Sequence, residues 1–192
     1  MARLSSLEEI ERLYATRGEL NYGEGLTQTE HAVQCAALAE AEGASPSLIV
    51  AALLHDVGHL FEAEDAVTGA KSDHRHEIAG AQALRSLFDH RVRGPIALHV
   101  PAKRYLCFSE PGYLEALSPA SQASLRLQGG PFDAAEAAAF ERLPHWREAV
   151  ALRRYDDMGK RDDLVSRPFA AFIPVMTLVG LREAALVQAV QG

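Results

Sequence analysis

The sequence predicts an all-α fold, a bundle of helices forming a single domain over residues 1–192. Three observations carry that prediction. Apolar residues recur at helical spacing along most of the chain, and no segment shows the apolar–polar alternation of a strand. Serine, threonine and aspartate stand where helices should begin, three residues ahead of a glutamate or one ahead of a proline. Seven consecutive apolar residues, Leu48 to Leu54, are too apolar for a surface helix and mark a central one.

Taken in order, Ser6 to Ala15 carries Leu7, Ile10 and Leu13 on one face, and a glycine-containing stretch from Gly18 to Leu26 interrupts the pattern. Thr27-Gln28-Thr29-Glu30 is a capping box opening a helix through His31 and Cys35 that Gly43 stops. Ser45-Pro46 caps the apolar helix, which runs into His55-Asp56. Glu64 to Asp73 reads as a loop. An amphipathic helix is expected over His74 to Phe88, with Ile78, Ala81, Leu84 and Leu87 on one side. Another lies within Val92 to Val100, starting near Gly94-Pro95 and ended by Pro101. Ser118-Pro119 opens a helix that Gly129-Gly130-Pro131 terminates, and Asp133 to Glu136 is a second capping box. Trp146 to Met158 follows. Pro168 to Val190 reads as a long C-terminal helix with a weaker break at Pro174.

Composition narrows the function. The 192 residues suit one compact domain, and 48% hydrophobic with 23% charged residues is ordinary globular usage. A net charge of -7 argues against nucleic acid or an anionic membrane as the main partner. It leaves room for a small anion, because a pair of bound metal cations reverses the local field. The two cysteines, Cys35 and Cys107, lie far apart without a metal or redox motif. They read as free thiols in a reducing compartment. With no run of about 20 apolar residues and no signal-like N-terminus, a cytoplasmic protein is expected.

The strongest chemical feature is His55-Asp56-Val57-Gly58-His59 at the end of the apolar helix. An adjacent imidazole and carboxylate can both reach metal from one turn, and only the carboxylate has two oxygens with which to bridge two cations. Alone, the dipeptide says little, since histidine at a helix C-terminus is favoured by the helix dipole. The further members change its weight. His31 sits on the preceding helix, His76 on the following one, His99 near the end of the next, and Asp156 much later. Each lies among apolar neighbours, where an unpartnered polar group is costly. These six residues are the expected ligands of two metals. Asp56 is the expected bridge, His31, His55 and Asp156 hold one metal, and His76 and His99 hold the other. The mixed nitrogen–oxygen set suits iron, manganese or zinc.

This order of ligands resembles the HD-domain superfamily, helical bundles around one or two metals, most of them phosphohydrolases. Five segments narrow the resemblance: Thr27–Ala36 (TQTEHAVQCA), Ala51–His59 (AALLHDVGH), His99–Leu106 (HVPAKRYL), Leu127–Pro131 (LQGGP) and Tyr155–Lys160 (YDDMGK). They look like the mixed-valent di-iron HD oxygenases, which cleave the carbon–phosphorus bond of 1-hydroxy-2-aminoethylphosphonates. The resemblance implies two irons in a mixed-valent Fe(II)/Fe(III) pair and O2 as co-substrate. It makes Lys103 a phosphonate-binding cation and His59 a substrate-side donor. Ser121, Ser124 and Gln128 become hydrogen-bond partners of the phosphonate, and Arg153 orients Asp156. Glu24 faces the substrate nitrogen, where Tyr22 can add a cation–π contact. The family's lid reads Tyr-x-Gly-Glu, whereas this chain has Asn21-Tyr22-Gly23-Glu24. Either Tyr22 still reaches iron or Asn21 takes its place. The altered lid tips the expected substrate towards the N-trimethyl compound, yielding glycine betaine, over the free amine, yielding glycine. Two other readings stand beside this one: a metal-dependent phosphohydrolase acting on a phosphate ester, and a catalytically silent binding module. His74, His90 and His145 receive no role, and oligomeric state is not legible.

Overall fold

In the computed structural model the described residues are 3–19, 25–62, 75–161 and 167–181. Among them every regular element is helical: α1 (Leu7–Arg17), α2 (Gln28–Ala41), α3 (Pro46–Leu54), α4 (His59–Glu62), α5 (His76–Ala83), α6 (His90–Ser109), α7 (Tyr113–Ala116), α8 (Pro119–Leu127), α9 (Ala134–Phe140), α10 (Trp146–Met158), a 3₁₀ turn (Phe169–Phe172) and α11 (Ile173–Val179). The sequence signals for helix starts are used as read. Thr27 and Glu30 form a reciprocal capping box on α2, and Asp133 and Glu136 form one on α9. Ser45 and Ser118 each accept from a backbone N–H three residues on, with proline in the first turn. Each cap contributes about 1 kcal/mol.

The centre of the molecule is α3. Its residues Leu48 to Leu54 are all buried, packed against α2, α6, α10 and α11. A helix apolar on every side can only sit at the middle of a bundle, each buried Leu, Ile or Val contributing roughly 1.5–3 kcal/mol. Tyr14 of α1 is drawn into this core, and its hydroxyl donates to the Leu53 carbonyl at 3.1 Å. A smaller apolar cluster gathers Ala102, Phe140 and Ala149, with Tyr105, Phe132 and Trp146 against it. It fastens α9 to the outer side of α6.

Three boundaries differ from the sequence expectation. The helix expected from Gly94-Pro95 to Pro101 is instead α6, 20 residues long and running through both prolines. Asp89 caps it, accepting from the Arg91 N–H at 2.9 Å. Each proline removes one helical hydrogen bond, a loss offset because α6 packs on α3, α5, α9 and α10. The helix expected over His74 to Phe88 shortens to α5, entered through Arg75 in the left-handed region (φ 51°). Over residues 168–181 the expected long C-terminal helix gives way to the 3₁₀ turn and the short α11, with Pro174 in the first turn of α11. Beyond it Gly180 is extended and makes an isolated antiparallel bridge to Phe88. The expected loop from Glu64 to Asp73, and residues 182–192, lie outside the described residues.

Candidate metal centre

The chain leaves α3 through a tight turn in which Val57 donates to Leu54 and His59 to Asp56. That turn displays His55 and Asp56 from the buried end of α3. Gly58 lets α5 approach: a Cβ there would lie 2.1 Å from the His76 carbonyl oxygen. His31 arrives from α2, His76 from the first turn of α5, His99 from the middle of α6 and Asp156 from the last turn of α10. All six are buried. The structure therefore brings together the whole set picked out in the sequence.

Their atoms fall into two groups. The Nε2 atoms of His31 and His55 are 3.2 Å apart. Asp156 Oδ1 lies 3.4 Å from the first and 4.0 Å from the second. The Nε2 atoms of His76 and His99 are likewise 3.2 Å apart. Asp56 stands between the pairs. Its Oδ2 is 3.5 Å from His55 and 3.9 Å from His31, and its Oδ1 is 3.4 Å from His76 and 3.6 Å from His99.

The donor chemistry fits metal. His31 Nδ1 lies 2.8 Å from the Gly159 carbonyl, His55 Nδ1 2.9 Å from that of Ala52, and His99 Nδ1 2.7 Å from that of Ile96. A carbonyl only accepts, so each Nδ1 carries a proton, which leaves Nε2 as the ligand atom facing the centre. At His31 burial opposes charge, but Cys35 and Asp156 raise the imidazole well above its ordinary range, so a metal there replaces a proton. Two Nε2 atoms 3.2 Å apart can bind one cation together. Burial, with His76 and His55 nearby, holds His99 well below the ordinary imidazole range. Burial likewise lowers His55, outweighing the two aspartates. Both rings are thereby kept neutral. Burial works against charge on Asp56, but the histidines around it hold its carboxyl well below the usual range.

Cys35 is the other atom near the first pair, its ligand atom within 4.8 Å of those of His31 and His55. Its Sγ is 3.7 Å from both ring nitrogens of His31 and 3.4 Å from the Tyr155 carbonyl. The sulfur thus lies over the ring, not in line with the Nε2 lone pair. Burial raises its thiol above the ordinary value, so it serves as an S–H donor and packing group. Asp156 is the better third ligand.

One wall of the centre is cationic. Lys103, four residues after His99, is held on the same side because α6 continues past Pro101. Its Nζ donates to Ser124 Oγ at 2.7 Å. Burial, with Arg153 close by, pushes its ammonium down to about 8. Ser121, on the same face of α8, lies near Arg153 Nη2 (3.5 Å) and Lys160 Nζ (3.2 Å). Arg153 is buried and holds Asp156 Oδ2 at 2.6 Å, and it also pairs with Asp157, to which Tyr113 donates. Gln128 caps the C-terminus of α8, and among the described residues its buried Oε1 has no hydrogen-bond partner. The His59 ring stacks on His76 with centroids 3.9 Å apart. Asn21, Tyr22 and Glu24 lie outside the described residues, as does His74. His90 and His145 sit together away from the centre, rings 5.2 Å apart.

Sequence reading missed two contributors. Gly159 supplies the carbonyl that orients His31, and a Cβ on it would meet Cys35 Sγ at 2.5 Å. Lys160 reaches Asp156 Oδ1 at 3.2 Å. Its i+4 spacing from Asp156 was the available signal. The Gly129-Gly130 turn in the LQGGP segment proves structural: both glycines have positive φ, and the Gly130 carbonyl accepts from Arg104 Nε at 2.7 Å.

The family described as HD domain matches residues 29–117, a span that holds five of the six buried residues and leaves out Asp156. A [1-hydroxy-2-(trimethylamino)ethyl]phosphonate dioxygenase (glycine-betaine-forming) of Leisingera caerulea is 40% identical over 177 residues, 88% of this chain and 88% of that protein. A hydroxymethylphosphonate dioxygenase of Gimesia maris is 46% identical over 160 residues, 82% of this chain and 78% of that protein. Among the described residues no helix is long and apolar enough to cross a membrane. The chain belongs to the HD-domain family, in the group that contains these phosphonate dioxygenases.

Proposed function

We propose that this protein is an O2-dependent di-iron oxygenase that cleaves the carbon–phosphorus bond of a 1-hydroxyphosphonate. His31, His55 and Asp156 would hold one iron and His76 and His99 the other, with Asp56 placed to serve both. When bound, the irons supply the activation of O2 and the one-electron chemistry. The balance is R–CH(OH)–PO3(2−) + O2 → R–COO(−) + HPO4(2−) + H(+). The observation that carries the reading is a buried cationic wall, Lys103 with Ser121 and Ser124, alongside a paired His–Asp centre.

The protein's share of the work is positioning. The Lys103 ammonium and the Ser124 and Ser121 hydroxyls bind the phosphonate oxygens, and Gln128 Oε1 accepts from a protonated phosphonate oxygen or the C1 hydroxyl. His59, stacked on His76, donates to the same anion. Arg153 fixes the Asp156 carboxylate. The apolar shell of α3 and α6 excludes water, so these charges act in a low dielectric where they are worth more.

For the substituent we favour 1-hydroxy-2-(trimethylammonio)ethylphosphonate, with glycine betaine as product and the 2-amino analogue, giving glycine, as its neighbour. Glu24 and Tyr22 would meet the cationic nitrogen. The relative acting on hydroxymethylphosphonate supports a second reading, in which R is hydrogen and the product is formate. Steady-state kinetics of iron-loaded protein with all three hydroxyphosphonates separates them. The leading reading expects the highest kcat/KM with the trimethylammonio compound and a Glu24→Ala variant whose KM rises for the two nitrogen-bearing compounds and not for hydroxymethylphosphonate. Fastest turnover of hydroxymethylphosphonate, unaffected by Glu24→Ala, supports the second. Anaerobic release of phosphate from a phosphate ester would instead make the protein a phosphohydrolase.

A further inference from the structure

The two halves of the centre carry different charge environments. In the half built on His31 and His55, the carboxylate of Asp156 is clamped by two cations. Arg153 Nη1 lies 2.6 Å from Oδ2, and Lys160 Nζ lies 3.2 Å from Oδ1, the oxygen that faces the histidines. The Lys160 side chain is itself only 10% exposed. Among the described residues the charge partners of Asp56 are histidines, and in the other half Glu77 Oε2 lies 3.8 Å from His76 Nδ1. An oxygen that shares its charge with an ammonium is a weaker donor to a metal, and a weaker anionic donor stabilises the higher oxidation state less.

We propose that Lys160 is a positioning residue for Asp156, and that by withdrawing charge from Oδ1 it raises the reduction potential of the metal held by His31, His55 and Asp156. Arg153 fixes the orientation of the carboxylate from the far side. Lys160 acts on the oxygen turned towards the metal, so its charge is felt there directly. The same ammonium touches Ser121 Oγ at 3.2 Å, which joins the metal-side carboxylate to the anion-binding wall through one group. This inference rests on the dinuclear reading above.

The test is a mediated redox titration of the iron-loaded protein, one electron entering or leaving the metal pair at each step, followed by electron paramagnetic resonance with metal analysis. Lys160→Met should keep both irons and shift one of the two potentials negative, with ferric affinity at that half rising about tenfold or more for the loss of one adjacent unit charge. Lys160→Arg should restore the wild-type potential. Lys160→Gln, which keeps a hydrogen-bond donor without the charge, should shift as Met does. An unshifted potential in the Met variant overturns the proposal, whether or not KM for the phosphonate rises. So does a Gln variant that matches wild type, or loss of iron from a folded Met variant, since charge withdrawal predicts tighter binding. If wild-type protein holds fewer than two metal ions, the dinuclear reading itself fails.

Discussion

At the scale of single residues, the account stands on which groups carry charge. Lys103 is a buried ammonium pushed down to about 8, and it is charged below that value. Binding of a phosphonate to it is therefore strongest below about pH 8 and weakens as pH rises through it. KM in a pH series should climb above about 8 with little change in kcat, and Lys103→Arg should flatten the climb, because guanidinium stays protonated. Lys103→Met should raise KM by about tenfold to a hundredfold, the loss of one charge-assisted hydrogen bond of roughly 1.5–3 kcal/mol. A Met variant with wild-type KM would remove Lys103 from the phosphonate site. His76→Ala or His99→Ala should abolish turnover and cut bound metal to about one equivalent, and full activity in either would break the ligand assignment.

At the scale of elements, glycines set how closely the ligand-bearing segments meet. At Gly58 an added Cβ would sit 2.1 Å from the His76 carbonyl and 2.9 Å from its Cα, both backbone atoms that cannot swing away. Gly58→Ala should push the start of α5 off the His55–Asp56 turn, costing about 1–3 kcal/mol in chemical denaturation and weakening metal at the His76–His99 half. Stability and metal content equal to wild type would show that α5 can shift freely.

Helix starts were legible because caps act locally: Thr27, Ser45, Ser118 and Asp133 do what their side chains dictate. The course of α6 was not. Pro95 was read as a start and Pro101 as a stop, and both local signals are overruled by packing against α3, α5, α9 and α10, which only the folded molecule contains. The described part of the expected C-terminal helix departs for the converse reason. Its apolar residues were read as continuous, while Pro174 starts a short α11 that Gly180 leaves by an extended turn.

At the scale of the whole molecule, the six-residue centre was readable because metal ligation requires particular side chains, whatever their distance along the chain. Its outer support was less so. Gly159 and Lys160 act through a carbonyl and a four-residue step, neither of which stands out until α10 is laid against α2. The centre also ties folding to metal. Four helices and one turn converge on the paired histidines and aspartates, and a bound metal ties those segments together. Stripping metal with a chelator should lower Tm, and re-adding iron should restore it, by an amount that grows with free metal concentration. A Tm indifferent to metal would mean that the centre is not a metal site.

The central claim is that two irons beside a cationic wall use O2 to break a carbon–phosphorus bond. It is tested most directly by measuring O2 uptake and phosphate release together on iron-loaded protein with 1-hydroxy-2-(trimethylammonio)ethylphosphonate. The account predicts one O2 consumed per phosphate released, with both lost under anaerobic conditions or with zinc in place of iron. Phosphate released without O2, or with zinc, would contradict it.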